Sequence, residues 1–199
     1  MTWQEFTALL ALATAMSFTP GPNTTLSTAL AANRGLAGAM HFVCAVPLGW
    51  GLLLLLCAAG LGAALVAVPA LHLGVQAAGL AYLVWLAYKL SRSGQLGQTD
   101  HTRLQVSFWQ GVALQFVNIK AWMLALTIVA GWIAGHHNAL ERVAVVLPVM
   151  LAYAFVSNLT YAATGALLRH WLAQGQRLLW FNRCMAVVLL LTAAWMALS

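Results

Sequence analysis

The sequence predicts an all-α integral membrane protein: six transmembrane helices arranged as two inverted three-helix repeats, with helices 1 and 4 broken near mid-membrane. Three observations predict it. Of 199 residues, 63% are hydrophobic and only 6% charged, more apolar surface than a water-soluble domain of this length can bury. The run LLLLLCAAGLGAALVAV at residues 52–68 is apolar on every face, as a lipid-embedded helix is, whereas barrel strands alternate. A single lengthy polar stretch, SRSGQLGQTDHTRLQ at 91–105, divides the chain into similar halves.

Span 1 covers about residues 3–33. Its opening MTWQEF carries an acid and no Lys or Arg, so it does not read as a cleaved secretory signal. Span 2 follows at about 36–67 and span 3 at about 69–89. Beyond the polar stretch come span 4 at about 105–135, span 5 at about 139–168 and span 6 at about 178–198. Crossing takes about 20 residues, so each stretch crosses once and the longer ones tilt, protrude or break. The chain is one membrane domain, 1–199, with repeat 1 at about 1–91, a cytoplasmic connection at about 92–104 and repeat 2 at about 105–199.

Charge sets the orientation. Seven of the nine Lys and Arg residues lie in the first, third and fifth connections: Arg34; Lys89, Arg92 and Arg103; Arg169, Arg177 and Arg183. By the positive-inside rule those connections face the cytoplasm and both termini lie outside it. Two successive three-helix halves then run through the membrane in opposite senses. The net charge of +6 has no interleaved aromatic cluster to suggest nucleic acid as a partner.

Both halves are interrupted in their first helix. Span 1 breaks at TPGPN, residues 19–23, and span 4 contains QFVNIKAW, residues 115–122, about 97 positions later. Paired interruptions in corresponding helices point to a transporter's central site. Pro20 and Pro22 have no amide hydrogen, so the carbonyls of Met16 and Phe18 lose their helical donors. Pro22 suits the first turn of a new half-helix, whose leading amides lack helical acceptors. One break thus offers carbonyls on one side and amides, with a positive dipole end, on the other. A zwitterionic amino acid needs both. The expected substrate-binding set is Phe18, Thr19, Pro20, Gly21, Pro22, Asn23, Thr24, Asn118 and Lys120. The amides of Asn23 and Thr24 and the Lys120 ammonium would take the carboxylate, and carbonyls around Phe18 and Thr19 the amine. The bland alternative is that Pro and Gly merely kink a long helix.

A lysine at the centre of a span costs about 2.5–3.5 kcal/mol on insertion scales, so Lys120 should face a cavity or a partner. A lysine tied to backbone carbonyls beside Asn118 is the alternative. No acid lies deep in any span, which favours a neutral amino acid over a cationic one. His41 in span 2 is the deep titratable group for proton coupling, although a lone His in an apolar helix more often packs while holding a backbone carbonyl. Ser157, Asn158, Thr160 and Tyr161 form a polar group in span 5, read as interhelical hydrogen bonding or cavity lining. His72, His136 and His137 lack carboxylate or thiolate company, so no metal site and no cofactor are expected. Cys44, Cys57 and Cys184 show neither CxxC nor zinc spacing.

MSFTPGPNT at 16–24, NRGLAG at 33–38, AGLAYLVWLAYK at 78–89, FWQGVALQFVNIKAW at 108–122 and a closing LLLTAAWMAL follow in order over nearly the whole chain. In these motifs the sequence resembles the LysE/RhtB family of amino-acid exporters. The resemblance implies a six-helix inner-membrane protein that moves amino acids out of the cytoplasm without hydrolysing nucleotide, and the chain has no GxxxxGK[ST] phosphate loop. Where the family usually reads NPK this chain reads NIK, with Ile119 for proline, so a milder second break is expected. Span 5 also lacks the acid found in some relatives.

The leading reading is a secondary transporter, not an enzyme, exporting a threonine-, homoserine- or leucine-like amino acid by alternating access. A membrane thiol oxidoreductase and a non-transporting structural or signalling protein are the alternatives. Proton coupling and homo-oligomerisation stay open.

Overall fold

The computed structural model describes residues 1–62, 67–93 and 104–198. Among them are seven α-helices and no strand. Of the connection expected at 92–104, residues 94–103 lie outside the described part, Arg103 among them.

α1, Trp3–Phe18, starts in a capping box: the Glu5 amide donates to Thr2 Oγ1 at 3.2 Å and the Thr2 amide to Glu5 Oε2 at 2.7 Å. It stops at Thr19, which precedes a proline and is extended (φ −72°, ψ 131°), as that position demands. After Pro20 and Gly21, α2 runs Pro22–Ala58 with Pro22 in its first turn. Gly35 breaks it at φ 77°, ψ 170°, a left-handed conformation open to glycine, and separates an arm at 22–34 from one at 36–58.

α3 spans Pro69–Arg92, with Lys89 and Arg92 in its last turn, where cations suit the helix dipole. α4, Phe108–Val117, opens in a second capping box between Ser107 and Gln110. α5, Ile119–Ile128, follows after one non-helical residue, Asn118 (φ −93°, ψ 99°), and continues into a π-helical turn at Val129–Ile133. The chain bends by 68° at Asn118, more than the mild break expected from Ile119 in place of the proline usual in the family it resembles. An extended asparagine therefore breaks the helix without proline. α6 spans Ala139–Leu172 and α7 Arg177–Leu198.

Among the described residues four helices, α2, α3, α6 and α7, are long and apolar enough to cross a membrane, and the bent α4–α5 pair makes a fifth candidate. The exterior is greasy: Leu140, Leu167 and Trp109 are 87%, 83% and 71% exposed. Such a surface is suited to lipid, where helix association rests on close packing and not on expulsion of water. Glycines provide that packing. A Cβ on Gly165 of α6 would lie 2.2 Å from the Thr28 carbonyl oxygen of α2, and one on Gly79 of α3 would lie 2.0 Å from the Val117 oxygen at the end of α4. A Cβ on Gly49 of α2 would meet the Val112 oxygen of α4 at 2.6 Å. α2 consequently sits in the middle, against α6 on one side and α4 on another.

Two apolar clusters result. One gathers Leu26, Leu30, Phe42, Leu83, Leu86, Leu114 and Leu189; the other Leu9, Trp50, Leu54, Trp122, Ile128 and Met150. At the α1 N-terminal end, Arg142 of α6 reaches Glu5 at 3.2 Å and the Trp132 carbonyl at 3.1 Å, while Trp132 Nε1 donates to the Glu5 carbonyl at 2.7 Å. At the far end of the first α2 arm, Asn33 and Asn182 exchange amide hydrogen bonds of 2.8 and 3.0 Å.

Candidate functional site

A cavity of about 70 Å³ lies where the two helix breaks meet. On the measure by which one water takes about 10–15 Å³, it has room for a small solute. α1 and the first break contribute Met16, Ser17, Thr19 and Gly21; α2 contributes Pro22, Asn23, Thr24, Val46 and Trp50. The second break and α5 supply Asn118, Lys120, Ala121 and Leu124, and α6 supplies Met150, Ala154, Ser157 and Asn158.

Two helix N-termini therefore open onto one space. α2 begins after Gly21 and α5 after Asn118, positions 97 apart in sequence, and neither terminus carries a side-chain cap. Their leading amides have no acceptor within their own helices, which leaves a partial positive charge at each. Lys120, in the first turn of α5, is the charged residue among those lining the cavity.

Two carbonyls at the first break, those of Phe18 and Thr19, are covered by side chains. Phe18 O is the acceptor that Pro22 cannot reach, and it receives the Tyr161 hydroxyl at 2.8 Å. Thr19 O receives Lys120 Nζ at 3.0 Å. Thr19 Oγ1 donates to Ala15 O, and Thr24 Oγ1 accepts from the Gly21 amide at 3.0 Å. The Lys120 stem passes so close to Gly21 that a Cβ there would touch Cδ and Nζ at 3.4 Å.

A second set of bonds joins the two breaks. Asn23 Nδ2 donates to Gln115 Oε1 at 2.8 Å and Gln115 Nε2 donates back to Asn23 Oδ1 at 3.0 Å. Gln115 is fully buried and also donates to the Gly111 carbonyl at 3.1 Å. Between α2 and α6, Ser27 Oγ donates to Asn158 Oδ1 at 2.9 Å, and within α6 Asn158 Nδ2 donates to Ala154 O at 2.8 Å.

Of the residues expected from sequence, Thr19, Gly21, Pro22, Asn23, Thr24, Asn118, Lys120, Ser157 and Asn158 line the cavity together. Phe18 and Pro20 lie on the exposed side of the break, and Tyr161 acts on it from α6 through the Phe18 carbonyl. His41 Nε2 lies 2.9 Å from the Val106 carbonyl, outside the cavity lining. Sequence reasoning did not single out Gln115, Trp50 or Met150. An uncharged amide inside the apolar run of α4 was the available signal for Gln115. Among the described residues no three His, Cys, Asp or Glu side chains group as a metal site, and the three cysteines are free.

Comparison with known proteins bears on this arrangement. The family model described as LysE type translocator matches residues 14–199. A cysteine/O-acetylserine efflux protein of Escherichia coli O1:K1 / APEC is 32% identical over 183 residues, covering 92% of this chain and 91% of the relative. Proteins of the same description from Escherichia coli (strain K12) and Shigella flexneri serotype 5b (strain 8401) are each 33% identical over 186 residues, with the same shares covered. No solved structure matches the chain.

Proposed function

The chain belongs to the LysE type translocator family, membrane proteins that carry amino acids out of the cell, and from that premise we propose how and on what it works. It exports a small neutral amino acid from the cytoplasm across the bacterial inner membrane by alternating access. Cysteine and O-acetylserine, named for the relatives, stand beside the threonine-, homoserine- and leucine-like solutes suggested by the sequence. The cavity of about 70 Å³ supports the smaller of these.

The observation that carries this reading is the pairing of two uncapped helix N-termini with one ammonium, and no carboxylate among the described lining residues, around a single cavity. A carboxylate suits such a place on electrostatic grounds. In this reading it rests between the leading amides of α2 at Asn23 and Thr24 and the Lys120 ammonium, while oxygen acceptors around the breaks take the amine. A substrate with a second positive charge would find no acid to balance it.

The same reading arranges the chain as six crossings. The two arms of α2, 37 residues in all, hold about 55 Å of helix at 1.5 Å per residue, nearly twice the hydrocarbon thickness of about 30 Å. Its first arm completes a broken helix begun by α1, and its second arm crosses by itself after Gly35. α4 and α5 together form the matching broken helix of the second half. With the basic connections in the cytoplasm both termini lie outside.

Export of radiolabelled cysteine, O-acetylserine, threonine, homoserine or leucine from cells or inverted vesicles tests the proposal. Lys120→Ala and Pro22→Ala proteins that still insert should lose most of the efflux. Efflux equal to that of the unaltered protein would remove the site.

A further inference from the structure

We propose that the side-chain carbonyl of Asn118 is the acceptor that reads the substrate's α-amino group. The assignment rests on the carboxylate-binding cavity proposed above and gives one residue of it a defined task. Asn118 lines the cavity and is 3% exposed, yet its Oδ1 has no hydrogen-bond partner. A buried amide oxygen left without a donor is costly and rare enough to call for a reason.

The usual local partner is present and not used. An asparagine at a helix N-cap ordinarily turns its oxygen back onto the amides of the next turn. Asn118 occupies that position for α5 without making the bond. Three residues with side-chain carbonyls line the cavity, and two already accept a hydrogen bond: Asn23 Oδ1 from Gln115 and Asn158 Oδ1 from Ser27. The backbone oxygens of Phe18 and Thr19 already hold Tyr161 and Lys120. Among the three side-chain carbonyls, Asn118 Oδ1 is the one without a donor, and an incoming ammonium meets it there.

The placement fits the chemistry of an α-amino acid, whose ammonium and carboxylate share one carbon. Asn118 stands at the N-cap position of the same helix that presents Lys120 two residues later, so one helix end offers an acceptor for the amine beside donors for the carboxylate. The terminal torsion of asparagine is soft, and Oδ1 can turn to a bound ammonium without moving α5. Selectivity for amino acids over simple carboxylic acids follows, because an acid without the amine leaves this oxygen unpaired.

Competition against export of labelled threonine or cysteine tests the assignment, comparing each amino acid with its deaminated counterpart, 3-hydroxybutanoate or 3-mercaptopropanoate. Wild-type protein should prefer the amino acid by at least ~100-fold, the discrimination expected of a site built around a hydrogen bond. In Asn118→Leu that preference should shrink at least ~10-fold while inhibition by the deaminated acid stays within about threefold. Asn118→Asp, which keeps the acceptor, should retain or widen it. A preference that survives intact in Asn118→Leu, or an equal loss of both compounds, overturns the role of Asn118 and leaves the cavity reading standing. If Asn118→Leu does not fold, loss of the preference in a folded Asn118→Asp protein overturns it. Wild-type protein that responds to neither compound overturns the cavity reading and this one with it.

Discussion

The ammonium of Lys120 donates to the carbonyl oxygen of Thr19 at 3.0 Å, joining residues 101 positions apart and tying the second helix break to the first. An ammonium carries three donors, so this bond leaves protons for a solute carboxylate in the cavity. The lysine is thus held in place before any ligand arrives. Gly21 leaves room for its stem, and the bond gives the Thr19 oxygen a donor that its own helix does not supply.

Tyr161→Phe should lower stability by about 1 kcal/mol, because it strips the donor from Phe18 O at a position where Pro22 cannot replace it. Thermal unfolding in detergent measures this. A Tyr161→Phe protein as stable as the parent would mean that water or lipid headgroups reach that carbonyl.

Gly165→Ala should cost about 1–3 kcal/mol, since its Cβ would fall 2.2 Å from the Thr28 carbonyl oxygen and push α6 off α2. Gly74→Ala in α3 is the control. A Cβ there meets nothing within 4 Å, so it should be neutral or stabilising by up to about 1 kcal/mol through helix propensity. Equal effects at the two sites would contradict the close approach.

Asn23→Ala and Gln115→Ala should not add. Their amides bond reciprocally at 2.8 and 3.0 Å, so a double-mutant cycle should yield a coupling of about 0.5–3 kcal/mol. Additive losses would place the two side chains apart in the membrane.

Arg142→Met should lower the unfolding temperature more than Glu5→Gln. Arg142 is buried and serves Asn138 Oδ1, the Trp132 carbonyl and both Glu5 oxygens, so its loss strands several acceptors together. Glutamine at position 5 still offers an oxygen to the arginine. Differential scanning of the two proteins in one detergent decides the order.

Much of the candidate site was legible from residues whose chemistry is local. Pro20 and Pro22 fix a break wherever they fall, and the structure puts it at Thr19–Gly21, inside the expected 19–23. A lysine in an apolar run demands a cavity or partner in any packing, and Lys120 has both. The second break was legible as a location but not in its size: Ile119 in place of proline suggested a mild bend, and the backbone turns by 68° at Asn118. Gln115 was illegible as a connector because its partner, Asn23, lies in the other half of the chain.

By itself the sequence determined that the chain forms lipid-compatible helices, where two of them break, and which cation stands between the breaks. Those outcomes follow from missing amide hydrogens, side-chain polarity and run length, which act within a few residues. Only the tertiary structure decided that both breaks open onto one cavity, that Tyr161 and Lys120 cover the Phe18 and Thr19 carbonyls at the first break, and that Asn118 keeps an uncommitted oxygen. The helices are apolar nearly all round, so no polar stripe records which face turns inward. That rotation is set by glycine-to-backbone approaches such as Gly165 on Thr28 and Gly49 on Val112, contacts between segments far apart in the chain.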